Sequence, residues 1–275
     1  MPARTVDLAT HINESFERGG SPAFPVALRP IFYNSGENLQ PVPDRLAVVR
    51  EDTGQSLGLV SKRYVLVPHQ RILDSVGDAT AKLDVGSIPR GIYLDRNGAR
   101  MRAVFKFPAL TEAVVSGDDI CPCLKIQNTY DGTSRITVHL GAFRFVCTNL
   151  AIGGGGVFAG GFMAVHTGEI PIDRVADELG SYLSRFTAIV AAYRSWNGQL
   201  LDRERFVHAL AAFPKRPAEE IERAIPVGQD ATVYRAYNAA TWHATHRMRS
   251  ARGAFDLLER INHTFQEHFP PGAAS

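Results

Sequence analysis

The chain has 275 residues, 45% of them hydrophobic, and 30 lysines and arginines against 28 aspartates and glutamates leave a formal charge of only +2. That is enough apolar material for one large domain or two small ones, and it excludes a protein held on nucleic acid by a global positive field, so such a role needs a local patch. Three cysteines cannot all pair within the chain, the N-terminal stretch lacks a long apolar core, and no apolar run approaches a membrane span, so a reduced, cytoplasmic protein without a membrane segment is expected.

Residues Val6 to Arg18 place Leu8, Ile12 and Phe16 at helical spacing and stop at Gly19-Gly20, which predicts a short amphipathic helix. The part that follows, to Pro43, is proline-rich and reads as irregular. From Arg45 to Pro68 two β-rich runs flank Thr53-Gly54 and predict a hairpin, and His69 to Leu83 carries Ile72, Leu73, Val76 and Ala79 along one side of a helix. A second hairpin is predicted around Asn97-Gly98.

The densest strand signal runs from Asp119 to His166. Leu124 and Ile126 alternate with Lys125 and Gln127, and Ile136, Val138 and Leu140 alternate with Arg135, Thr137 and His139, the period-2 pattern of half-buried strands. A three-residue loop, Tyr130 to Gly132, would pair Ile126 with Ile136 and Leu124 with Val138. Beyond Gly141 the apolar series becomes Phe143, Phe145 and Cys147, a change of parity that a bulge at Gly141 would produce, turning Arg144 to the side of Lys125.

From Pro171 the pattern is helical: Pro171 to Trp196, a helix after the N-cap Asp202, a short one at Ala218 to Ile225, and two more at Ala231 to Met248 and Gly253 to Phe269. The expected fold is therefore α+β. An antiparallel, hairpin-built, curved sheet occupies residues 1–170 and a mostly helical part 171–275, as two parts or one domain.

Several short runs carry a family resemblance: Leu59 to Ser61 with Tyr64 to His69, Phe143 to Asn149, His166 to Gly168, and Tyr234 to Ala239. In this order they resemble the phage and plasmid-like family catalogued as domain of unknown function 932, from about Leu59 onward. His69 departs from the pattern, which has asparagine there. The resemblance implies a setting in the replication or recombination of mobile elements. A weaker, fold-level analogy, hairpins followed by a long helix, is to the single-strand annealing recombinases, which implies rings or filaments that hold single-stranded DNA.

The candidate contact surface follows from the sheet. Lys125, Gln127, Arg135, His139 and Arg144 on one face would grip phosphates and base edges, and Tyr130 at the turn would stack a base. Arg247, Arg249 and Arg252 form a second basic cluster suited to phosphates. The glycines from Gly153 to Gly161 lack the Lys-Ser/Thr of a phosphate loop and the dinucleotide fingerprint, and Cys-Pro-Cys at 121–123 lacks zinc spacing even with Cys147 and His139 near, so no cofactor and no metal is assigned. The leading expectation is a homo-oligomeric protein that binds single-stranded DNA. Its rivals are an enzyme on nucleic acid or nucleotides, with His139 or His166 as acid or base, and a partner-binding module without DNA affinity.

Overall fold

Period-2 runs in the first half of the chain become two sheets and the 3.6-period runs of the second half become helices, an α+β fold in a computed structural model that describes residues 16–83, 85–86, 88, 90–144, 149–152, 161–167, 174–225, 231–248 and 251–272. The strands are β1 Phe16–Arg18, β2 Val26–Ser35, β3 Asn38–Arg50, β4 Gln55–Ser61, β5 Arg90–Asp95, β6 Arg100–Lys106, β7 Glu112–Val115, β8 Asp118–Thr129, β9 Ile136–Arg144, β10 Asn149–Ile152 and β11 Gly161–Ala164. The helices are α1 His69–Leu83, α2 Arg174–Gly198, α3 Arg203–Leu210, α4 Lys215–Ala224, α5 Val233–His246 and α6 Ala251–His268.

The larger sheet runs in the order β1, β5, β6, β8, β9, β10, with β7 beside β8 and β11 beside β9. Its centre is the long β8–β9 pair, and each of those strands has two partners end to end on its outer side: β6 and β7 on β8, β10 and β11 on β9. Among the described strands only β1 joins in parallel, through Phe16 to Arg18 on β5, so this stretch is a strand and not the end of the expected helix; the rest of that expectation lies outside the described residues. The smaller sheet has the order β2, β3, β4. The stretch up to Pro43 that reads as irregular is so only as far as Pro25; from Val26 it is β2 and the start of β3, because the prolines there stand where strands have a free edge, which hydrogen bonding does not forbid.

The two sheets touch where Gly58 of β4 meets the turn after β8. A Cβ on Gly58 would stand 2.4 Å from the Cα of Asp131 and 2.8 Å from the carbonyl oxygen of Tyr130, so only glycine admits this approach. Gly58→Ala should lower stability by about 1–3 kcal/mol, as overpacking does. Chemical denaturation reads the shift, and an unchanged midpoint would show that the two sheets do not press together there.

The apolar core is one continuous cluster that takes in residues of both halves of the chain. In the helical half it is aromatic: Trp196 lies against Tyr193, Tyr237 and Phe265, and its indole N–H donates to the Phe269 carbonyl at 2.6 Å. Asp202 caps α3 by accepting from the Arg205 amide at 3.0 Å, and Thr232 does the same for α5 with Arg235. Arg194 of α2 donates to the Ala113 carbonyl of β7 at 2.6 Å, which ties the longest helix to the sheet.

Candidate nucleic-acid interface

The β8–β9 pair keeps the predicted faces and changes the predicted register. Ile126 stands opposite Val138, Leu124 opposite Leu140, Lys125 opposite His139 and Gln127 opposite Thr137, a shift of two residues that conserves parity. The loop is longer than expected because its ends are held by side chains. Asp131 accepts from the Thr133 amide at 3.1 Å, Gln127 donates to the Ser134 hydroxyl at 2.9 Å, and the Thr129 hydroxyl donates to the Ser134 carbonyl at 3.2 Å. Tyr130 is therefore not a loop-tip ring free to stack a base. It is fully buried, its ring stacks on His69 at 4.0 Å, and its hydroxyl oxygen accepts from the His69 amide at 2.6 Å.

No bulge interrupts β9 at Gly141. The register is continuous from Gln127↔Thr137 to Ile120↔Arg144, so Arg144 lies on the side of Leu124 and Ile126, away from Lys125. Its guanidinium forms a fork with the Asp118 carboxylate, Nε to Oδ1 and Nη2 to Oδ2 both at 2.5 Å, and stands 5.8 Å from the ring of Tyr234. The change of apolar parity has another cause: Gly141, Ala142 and Phe143 are all buried, and a strand buried on both faces shows no alternation to read. The same register sets Cys123 opposite Gly141 rather than opposite His139. Burial pushes the Cys121 thiol up to about 11, so it is a protonated core side chain at neutral pH.

A basic face exists without Arg144, with members that come from a neighbouring strand. Across β6, β8 and β9 the rows are Arg102, Gln127, Thr137; Val104, Lys125, His139; and Lys106, Cys123, Gly141. Arg100 follows at the open end, opposite Thr129. Arg102 pairs with Asp95 at 2.7 Å and Arg100 with Asp131 at 2.7 Å. Lys125 is half-buried and has Arg102 as its charged neighbour, so desolvation first and that like charge second hold its pKa below the usual lysine value. His139 is buried beside Lys125, and burial with that cation pushes it down to about 4, a neutral imidazole at pH 7. Arg135 is exposed at the end of the loop. Arg100, Arg102 and Lys106 escaped the sequence reading because membership of this face depends on which strand sits beside β8. Their alternation with Met101, Ala103 and Phe105 was the available signal.

Of the second basic cluster, the structure describes the Arg247 side chain. Arg247 is exposed at the C-terminal end of α5, 5.4 Å over the ring of Trp242, while Arg249 and the side chain of Arg252 lie outside the described residues, as do the glycines from 153 to 160. Trp242 is 37% exposed, and the His246 ring stacks on it at 4.9 Å. Between α4 and α5 runs a groove of about 1020 Å³ whose lining includes Pro217, Trp242, Met248, Arg216, Arg223 and Arg247.

His166, one of the two histidines considered as an acid or base, is held by packing. His166 stacks on Tyr64 at 4.6 Å, its Nδ1 meets the Val65 carbonyl at 3.1 Å, and its Nε2 has no described partner. Asp118 is occupied by Arg144 and Asp131 by Arg100, so neither of these carboxylates completes an acid–base pair.

The runs that carry the family resemblance meet in pairs. Tyr64 and Val65 clasp His166 and Thr167 through a β-bridge and a 2.7 Å bond from the Val65 amide to the His166 carbonyl. Arg144 meets Tyr234. His69 closes the first run against β8: its Nε2 meets the Gly98 carbonyl at 2.9 Å and its Nδ1 the Asn128 amide nitrogen at 2.9 Å. These positions hold elements together. No described helix is long and apolar enough to cross a membrane. A family model described as a domain of unknown function (DUF932) matches residues 56–270. No curated protein and no solved structure matches.

Proposed function

The chain belongs to the DUF932 family, and on that premise we propose that it binds nucleic acid, single strands before duplex, along the polar face of β6, β8 and β9. The observation that supports this most is Lys125: a half-buried cation beside Arg102, with no carboxylate among the described charged groups that act on it. Holding such a charge without an acid costs free energy, and a phosphate oxygen offsets that cost. Arg102 and Arg100 extend the row toward solvent, Arg135 continues it, and Gln127 and Thr137 offer groups for sugar or base edges. Met163 stands opposite Thr137, is 49% exposed, and gives a base an apolar surface to lie on. A flexible single strand reaches cations set below a rim more readily than a stiff duplex. His139, neutral at pH 7, is a hydrogen-bonding neighbour and not a phosphate clamp. Arg247, Arg249 and Arg252 are not needed by this face.

The setting that goes with this reading is a mobile-element protein of the cytoplasm, homo-oligomeric, acting in strand annealing during recombination or replication. Fluorescence anisotropy with a labelled single-stranded oligonucleotide at low salt tests it. Binding should fall about tenfold or more in Lys125→Ala and in Arg102→Ala, each removing about one unit from the salt slope. Because the Lys125 pKa is depressed, affinity should decline on raising pH before an ordinary lysine would titrate, and Lys125→Arg should abolish that decline. Wild-type protein that shows no binding at micromolar concentration ends this reading.

A further inference from the structure

The small sheet ends in an arm. Beyond Pro30 the β2–β3 ladder shifts register, and four pairs from Phe32↔Pro41 to Ser35↔Asn38 extend past the last residue of β3 that β4 covers, Arg45. The arm turns at Gly36 and Glu37, with Gly36 at φ +71°. Phe32 and Tyr33 are each 53% exposed and Leu39 is 71% exposed, and Phe32, Leu39 and Pro41 share one face of the ribbon. From Ile31 to Pro43 the only charged residue is Glu37. Such a surface is unsuited to nucleic acid, which demands cations, and suited to protein. Proline stands on both of its edges, Pro30 on β2 and Pro41 and Pro43 on β3, where it denies an incoming strand its backbone donors. The arm's partner must therefore take its side chains and not its edge.

The α4–α5 groove is the complement of that arm. It is concave and its apolar walls are Pro214, Pro217, Trp242 and Met248, whereas the arm tip is convex and apolar. Its charged lining is Arg216, Arg223 and Arg247 against Glu220, a net positive rim for the arm's single carboxylate. Arg216 holds Glu220 at 2.9 Å and Arg223 has Glu219 at 3.9 Å, which leaves Arg247, over Trp242, as the cation best placed for Glu37. In one chain the arm tip and Trp242 are both exposed, so the arm does not fill its own groove.

We infer that the β2–β3 arm of one chain seats in the α4–α5 groove of a second copy, Phe32 and Leu39 against Trp242 and Met248, and Glu37 against Arg247. Arm and groove are different surfaces, so the contact either closes reciprocally into a two-fold pair or propagates head-to-tail into rings or open chains of subunits. It goes beyond the nucleic-acid reading and does not depend on it.

The test uses the full chain without nucleic acid, so its failure leaves the sheet-face reading untouched. Sedimentation velocity over a concentration series should show species larger than the monomer. Glu37→Arg and the double variant Phe32→Ser, Leu39→Ser should each shift the association midpoint at least tenfold upward, and Glu37→Arg combined with Arg247→Glu should restore it. These residues are exposed, and an unchanged circular dichroism spectrum confirms that the variants fold. As an independent arm, Glu37→Cys protein mixed with Arg247→Cys protein should form a mixed disulfide under mild oxidation faster than either variant forms one alone. A monomer at every concentration, association indifferent to Glu37→Arg and to the apolar pair, or no preference for the mixed disulfide would each overturn the inference.

Discussion

Asp118→Ala should cost about 3 kcal/mol of stability while leaving oligonucleotide affinity unchanged. Asp118 is buried and the Arg144 side chain is about one-fifth exposed, and the fork of two 2.5 Å bonds between them is what makes the arginine tolerable on the apolar side of the sheet. Removing one partner of a buried pair leaves an uncompensated charge, at about 3–5 kcal/mol. The partial exposure of Arg144 places this pair at the lower end of that range. Asp118→Ala with Arg144→Met removes both charges and should recover most of the loss, because a thioether packs among Ile120, Ala142 and the ring of Tyr234 without needing an acid. Urea denaturation of the four proteins in this cycle measures the coupling. A double variant as unstable as Asp118→Ala would show that lost packing, and not the stranded cation, is the cause. Oligonucleotide affinity that drops in Arg144→Met at full stability would return the arginine to the binding face, against its register.

The protein should also lose stability on acidification, by about 2 kcal/mol at pH 5 and about 3 kcal/mol at pH 4 for each of two histidines. His69 is fully buried, and desolvation lowers it from 6.5 to about 4 even though the Gly98 carbonyl favours its protonated form. His139 falls to about 4 through burial and Lys125. Both folded values lie below the unfolded one, so the folded chain binds fewer protons. The stabilisation is complete above the ordinary histidine pKa and is lost as pH falls from 6.5 toward 4. In the neutral ring of His69 one nitrogen donates to Gly98 and the other accepts from the Asn128 amide, an arrangement a doubly protonated ring cannot keep. His69→Asn, which cannot titrate, should be less stable at pH 7 and lose less between pH 7 and pH 5. Thermal unfolding across that range reads both effects, and a wild-type midpoint that stays level to pH 5 refutes the burial argument.

Lys125 works in the same sense at the other end of the scale. Its folded pKa is depressed, so the unfolded chain holds its proton longer and stability rises as pH climbs between the two values. Bound phosphate would remove that gain by favouring the charged form. The pH dependence of stability with and without oligonucleotide therefore reports on the same residue as the affinity itself.

The resemblance runs have a comparable double life. Tyr64 with His166, and Arg144 with Tyr234, stand far apart in the sequence in runs that carry a family resemblance, yet they meet as clasps between elements. A short motif tells which residues a fold needs; whether it needs them to react or to hold depends on what stands opposite.

The sequence by itself determined which residues of β8 and β9 share a face, because a strand has period 2 and Leu124, Ile126 and Val138 can be buried together in only one way. It also determined the helices from α2 onward, whose apolar stripes, with caps such as Asp202, are local signals. Tertiary structure alone decided the rest. The register depended on Ser134 meeting Gln127 and Thr129 across a loop, the side taken by Arg144 on a strand buried on both faces, and the basic row on β6 lying next to β8. The arm was hidden because prolines that read locally as irregular chain are, in a two-stranded ribbon, guards on a free edge. In each case the deciding interaction joins residues that the chain sets apart, and no periodicity along the sequence encodes it.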